Sequence, residues 1–176
     1  VKGEGGIGHI GGQTIGKSLP FLSVLAFILF VEFGLHNYSL VNSTLTLENR
    51  ATMTWLRENV PPHQNFLLLT GRTFSMSDPV QEWFPTLSSQ HSQTTLQGLE
   101  WTLGPQFTNR LDDLAAMQSC TDLACVETWS KRMGLEYDYL WVAQVSANLV
   151  KDIRASVEYK LIYESESVAV FAQVEK

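Results

Sequence analysis

The run from Leu19 to Leu35 constrains this chain more than any other stretch. It carries no charge before Glu32 and a single hydroxyl, Ser23. As a helix rising about 1.5 Å per residue it would span roughly 26 Å, close to the thickness of a bilayer's hydrocarbon core. The run therefore predicts a transmembrane helix over 19–35, with Leu19 and Leu35 at its ends, Phe27 near its middle and Glu32 one turn from the outer end. A carboxylate there can reach headgroup water or meet a partner on another membrane helix. A cleaved signal peptide is the competing reading, but no small-x-small site follows the run.

This partition sets the expected domains: a flexible Gly-rich tail over 1–18, the membrane helix, a Ser/Thr-rich linker over 36–45, and a domain over 46–176. The tail contains Gly11-Gly12-Gln13-Thr14-Ile15-Gly16-Lys17-Ser18, which fits the letters of a phosphate-binding loop. No buried strand leads into it and no nucleotide domain has room to follow, so it reads as tail. The chain has a net charge of −6, and its first 35 residues contribute none of it. An acidic domain without a basic patch argues against nucleic acid as a partner. Lys2 and Lys17 precede the apolar run, and the next basic residue is Arg50. That bias, with sequons at Asn37 and Asn42, predicts a single-pass protein of the cell membrane, N-terminus cytoplasmic and domain extracytoplasmic.

Beyond residue 45 the pattern is α/β. Thr46 reads as an N-cap, and Leu47, Ala51, Met53, Trp55, Leu56 and Val60 lie at helical spacing until Pro61-Pro62. Asn65–Gly71 is a short apolar run, as in a strand covered on both faces. Asp78-Pro79-Val80-Gln81 opens a brief helix that Pro85 should close. Thr94–Gly98 reads as an edge strand, 106–118 as a helix, and 122–134 as a second helix with Gly134 at its left-handed end. Tyr137–Gln144 is the clearest strand, 148–155 a further helix, and 159–163 with 168–173 a closing hairpin. The expected fold class is thus an N-terminal transmembrane helix followed by a mixed α/β sheet domain ending in a β-hairpin.

Cys120 and Cys125 bracket the start of the 122–134 helix. With Thr121 as N-cap they occupy the two positions that touch in a hydrophobic staple, so a disulfide is geometrically easy. Free thiols and a metal site are the alternatives; the metal would need ligands from far off, such as His63 or His91. The segment Asp78–Trp101 is the densest in functional side chains. Tryptophans beside carboxylates suit a carbohydrate, rings stacking on the sugar's apolar face and acids accepting from its hydroxyls, which makes Asp78, Glu82, Trp83, Glu100 and Trp101 the ligand-contact candidates. Asp78 as a cap, and Trp83 and Phe84 as packing residues, have structural readings too. No nucleophile elbow, zinc-binding helix or Ser/His/Asp set is visible, so no catalytic residue, metal ligand or cofactor is assigned.

Several segments resemble a known family. They are Ala51 with Trp55-Leu56-Arg57-Glu58-Asn59-Val60-Pro61-Pro62, Thr70-Gly71, Asp78-Pro79 with Glu82-Trp83-Phe84-Pro85, and Thr95 with Gln97-Gly98 and Glu100-Trp101. The Cys120–Cys125 segment, Tyr137-Asp138-Tyr139-Leu140 and Tyr159–Ser165 fit the same region. Together they resemble the C-terminal extracytoplasmic region of bacterial GT-C type membrane glycosyltransferases, similar to the dolichyl-phosphate-mannose protein mannosyltransferase group. The resemblance implies that 19–35 is the last membrane helix of a longer protein. The family moves a sugar from a polyprenyl-phosphate carrier with an acidic residue of its first outer loop. That loop is missing here, so this chain alone should not catalyse transfer, and its expected role is contact with acceptor or carrier. The rival expectation is a single-pass accessory or structural subunit of a larger membrane complex, with the bilayer and other membrane helices as partners.

Overall fold

The structure, a computed structural model, describes residues 22–33 and 44–174. The chain divides into two units, Val1–Asn42 and Ser43–Lys176.

In the first unit the described residues form one helix, α1 (22–33), exposed along its whole length, including Phe27 and Glu32. The 12 described residues of this helix rise about 18 Å. Among the described residues no helix is long and apolar enough to cross a membrane. This corrects two expectations: the N-terminal transmembrane helix of the fold class, and the single-pass placement with its cytoplasmic N-terminus and extracytoplasmic domain. Leu19, Leu35, the 1–18 tail with its Gly-Lys-Ser motif, the asparagines of both sequons and most of the 36–45 linker lie outside the described residues.

The second unit is a mixed α/β fold. Helix α2 (Leu47–Asn59) starts where Thr46 Oγ1 accepts from Asn49 N at 3.1 Å. Then come β1 (Asn65–Leu69), a 3₁₀ turn (Ser75–Ser77), α3 (Pro79–Ser88), β2 (His91–Ser92), α4 (Glu100–Leu103), α5 (Gln106–Gln118) and α6 (Leu123–Met133). After these run β3 (Tyr139–Ala143), α7 (Ala147–Ala155), β4 (Tyr159–Glu164) and β5 (Val168–Gln173). The five strands lie in the order β2-β1-β3-β5-β4. β1 is parallel to β2 and β3, and β5 is antiparallel to both β3 and β4.

Alternation along the strands sorts the core into two layers. Leu67, Leu69, Leu140, Val142, Ala169 and Phe171 pack with Leu114, Met117, Val126, Trp129, Leu149 and Ile153 of α5, α6 and α7. From the opposite side of the same strands, Phe66, Leu68, Trp141, Val168 and Val170 pack with Met53 and Leu56 of α2 and Val80 and Phe84 of α3. A sheet covered on both faces explains why Phe66-Leu67-Leu68-Leu69 is wholly apolar.

Three local features differ from the sequence reading. Pro85 does not close α3 but sits inside it. A proline there leaves the carbonyl four residues back without its donor. That carbonyl, Gln81 O, accepts instead from Thr95 Oγ1 at 2.8 Å. The edge strand is the two-residue β2, not Thr94–Gly98, because the threonines of that segment bond sideways: Thr94 Oγ1 accepts from Leu68 N at 3.3 Å. Finally, α6 is capped by Asp122, whose Oδ1 accepts from Cys125 N at 2.8 Å, and not by Thr121. The Cys120–Cys125 disulfide forms all the same, with Cα atoms 5.6 Å apart. Gly134 ends α6 at φ +63°, as its position predicted.

Candidate functional site

Glu100 and Trp101 stand on the short α4, and Trp101 is 92% exposed, with Trp83 on α3 at 47%. Glu82 is exposed in the first turn of α3. Asp78, by contrast, is buried as the N-cap of α3. Its Oδ1 accepts from Val80 N at 3.0 Å and its Oδ2 from Thr70 Oγ1 at 2.5 Å. Burial raises the Asp78 carboxyl above the ordinary aspartate range, against the pull of these two hydrogen bonds and of the Arg72 charge.

Asp78 belongs to a polar knot at the carboxyl end of β1. Gln118, at the end of α5, donates from Nε2 to Leu68 O at 2.7 Å. Its Oε1 accepts from Thr70 N at 2.8 Å and Gly71 N at 3.0 Å. Gln81 Nε2 donates to the same Leu68 carbonyl at 3.2 Å. Side chains thus continue the ladder that β2 is too short to supply. The connections from β1 and β3 leave in opposite directions, and at such a switch point open α/β sheets commonly bind their ligands. Here the buried side chains of Asp78, Gln81 and Gln118 fill that end of β1.

An open cleft of about 760 Å³ lies at the other end of the sheet, where β1, β3 and β4 begin and β5 finishes. Asp138 builds its floor. Its Oδ2 accepts from Asn65 N at 2.9 Å, its N–H donates to Asn65 O at 2.9 Å, and its carbonyl accepts from Gln173 N at 2.8 Å. These bonds tie the approach to β3 to both β1 and β5. Tyr137 and Tyr159 line the cleft, each 8% exposed, with their hydroxyl oxygens 2.7 Å apart. Gln173 Nε2 donates to the Tyr159 oxygen at 3.5 Å. Burial pushes the Tyr137 hydroxyl far above the ordinary phenol range, and the Tyr159 bond and the Glu127 charge add to the rise. Burial raises Tyr159 as well. Both therefore stay protonated at neutral pH.

Glu127, Glu136, Asp138 and Glu158 bring four carboxylates to the lining, with Lys131 its single ammonium. Gln64, Asn65 and Gln173 add amides, and Tyr139 a third tyrosine ring. A volume of several hundred Å³ with convergent polar groups and aromatic surface is what a small-molecule site requires. Carboxylates accept from hydroxyls, phenols donate to them, and ring faces cover C–H surface.

None of these lining residues is among the candidates read from the sequence. They come from α6, the turn before β3, and the ends of β1, β4 and β5, so no contiguous segment spells the site. A weak signal was present: Glu136-Tyr137-Asp138-Tyr139 and Glu158-Tyr159 each set a tyrosine beside an acid. Among the described residues no group of three or more His, Cys, Asp or Glu side chains is arranged to hold a metal ion. No family model, no curated protein and no solved structure matches the chain.

Proposed function

We propose that the second unit is a non-catalytic binding domain that contacts a carbohydrate in the cleft between α6 and the Asn65–Tyr139 end of the sheet. The observation that carries this reading is the Tyr137–Tyr159 hydroxyl pair, buried at 2.7 Å among four carboxylates. It combines ring surface with hydroxyl donors and acceptors in one concavity. The resemblance drawn from the Glu82–Pro85 and Gln97–Trp101 segments supplies a setting, a glycosyltransferase-like protein in which this domain holds acceptor or carrier-linked sugar while the chemistry happens elsewhere. The test is a panel of neutral, amino and acidic oligosaccharides titrated calorimetrically into the full chain. Saturable one-to-one binding by at least one of them, weakened by Gln173→Ala together with Glu127→Ala, supports the reading. No binding by any member of the panel overturns it.

A second reading, an accessory subunit of a larger assembly, is favoured by Trp101 and by Phe74, which is 64% exposed. The Gln97 Nε2 to Ser75 O bond of 2.8 Å ties together the segments that carry them. Exposed large apolar side chains suit a protein contact. A native assembly that loses mass on Trp101→Ser would support this reading, and an unchanged mass would exclude Trp101 from such a contact.

A further inference from the structure

We infer that the cleft selects a positively charged, hydroxyl-bearing ligand, an amino sugar, over neutral and anionic saccharides. The inference rests on the carbohydrate reading above and narrows it by two independent observations.

The first is a count of protons. Two phenols carry two hydroxyl protons, and within the pair only one can be donated, to the other oxygen. Gln173 Nε2 approaches Tyr159 as a donor and so takes neither proton. Whichever tyrosine donates to its partner, the other keeps a hydroxyl proton with no acceptor among the described residues. Both side chains line the cleft and both are more than nine-tenths buried. A ligand oxygen lodged in the cleft would accept that proton.

The second is charge. Four carboxylates and one ammonium line the cleft. Asp138 already accepts from Asn65 N, while Glu127 and Glu136 make no side-chain hydrogen bond or ion pair among the described residues. A phosphate or uronate would enter against this field, and an ammonium would enter with it. Glu127 and Tyr137 line the same cleft. One ligand that carries an ammonium beside a hydroxyl or ring oxygen would therefore meet both groups. Neutral sugars satisfy only the phenol, and a simple polyamine only the carboxylates.

The test uses the full chain and four probes: a fully deacetylated glucosamine tetramer, its N-acetylated counterpart, an oligogalacturonate and spermidine. At pH 6 and low salt the deacetylated tetramer should bind about tenfold more tightly than the acetylated one, with the gap closing as salt is raised. Glu127→Gln and Glu136→Gln, two changes on the accessible rim, should close the gap without added salt. Tyr137→Phe with Tyr159→Phe should weaken both tetramers alike. Equal binding of the two tetramers, insensitive to salt, overturns the charge selection and leaves the carbohydrate reading standing. Spermidine binding as tightly as the deacetylated tetramer overturns the hydroxyl requirement. Absence of binding by every saccharide overturns both the inference and the reading beneath it.

Discussion

Thr95 supplies to the helix around Pro85 the hydrogen bond that the proline cannot make, its hydroxyl donating to Gln81 O at 2.8 Å. The relation explains how a proline sits seven residues into α3 without ending it. Thr95→Val keeps the shape and removes the donor, leaving a carbonyl of the buried Gln81 short of a partner, and should cost about 1–3 kcal/mol in urea denaturation. Pro85→Ala restores a backbone N–H to that carbonyl. In the Pro85→Ala background the cost of Thr95→Val should therefore shrink, and a double-mutant cycle reads the difference.

Gln118 serves β1 as a surrogate strand neighbour. Gln118→Leu preserves volume but strips the partners from Thr70 N and Gly71 N and one donor from Leu68 O. The expected loss exceeds about 2 kcal/mol, since buried polar groups would be left unpaired. Amide hydrogen exchange gives a local check: Thr70 and Gly71 should lose protection in this variant while Leu140 and Phe171 keep theirs.

Asp78 predicts a pH dependence whose sign follows from its raised carboxyl. A group with a folded-state pKa above its unfolded value, near 3.8, binds its proton more tightly in the native protein. Its contribution to stability therefore declines as pH rises from that value through the raised one. Glu48 works in the opposite direction. The Ser165 hydroxyl first, and the Ser167 side chain and backbone N–H besides, hold its carboxyl below the usual glutamate range. Acid removes what Glu48 adds. Comparing wild type with Asp78→Asn separates the two: the stability of wild type relative to the variant should fall between pH 4 and pH 7. A difference that grows over this interval would contradict the burial argument.

The disulfide closes a loop with a sequence separation of only 5 between Cys120 and Cys125. Loop-closure entropy for so short a ring gives about 2 kcal/mol. Cys120→Ala with Cys125→Ala should lower stability by that amount in urea denaturation and leave the α6 cap in place. Asp122 Oδ1 to Cys125 N uses the backbone and survives the exchange.

Much of the second unit was legible because its signals are local. Thr46 caps α2, Gly134 ends α6, and the apolar Phe66–Leu69 run is β1, a strand covered on both faces, each for a reason carried by a few adjacent residues. Asp78 and Pro79 marked the start of α3 correctly. The end of that helix was not legible, because Pro85 is tolerated through a threonine ten residues away. β2 escaped notice since two residues carry no period, and Gln118, Thr94 and Gln81 do the pairing that a longer strand would have done. The apolar run was read from composition alone: hydropathy predicts a span over 19–35, whereas among the described residues no helix is long and apolar enough to cross a membrane. The cleft was the least legible part. Tyr137 read as the first residue of a strand, yet β3 starts at Tyr139, and Tyr137 meets Tyr159 across 22 positions of sequence.

The most direct measurement for the account is the map of backbone amide shifts as the deacetylated glucosamine tetramer is titrated into isotope-labelled protein. The account predicts saturable shifts at Asn65, Glu136 to Tyr139, Tyr159 and Gln173, with the amides around Trp83 and Trp101 unmoved. Shifts confined to the Trp83 and Trp101 segments, or none at any sugar concentration that saturates the titration in calorimetry, would contradict it.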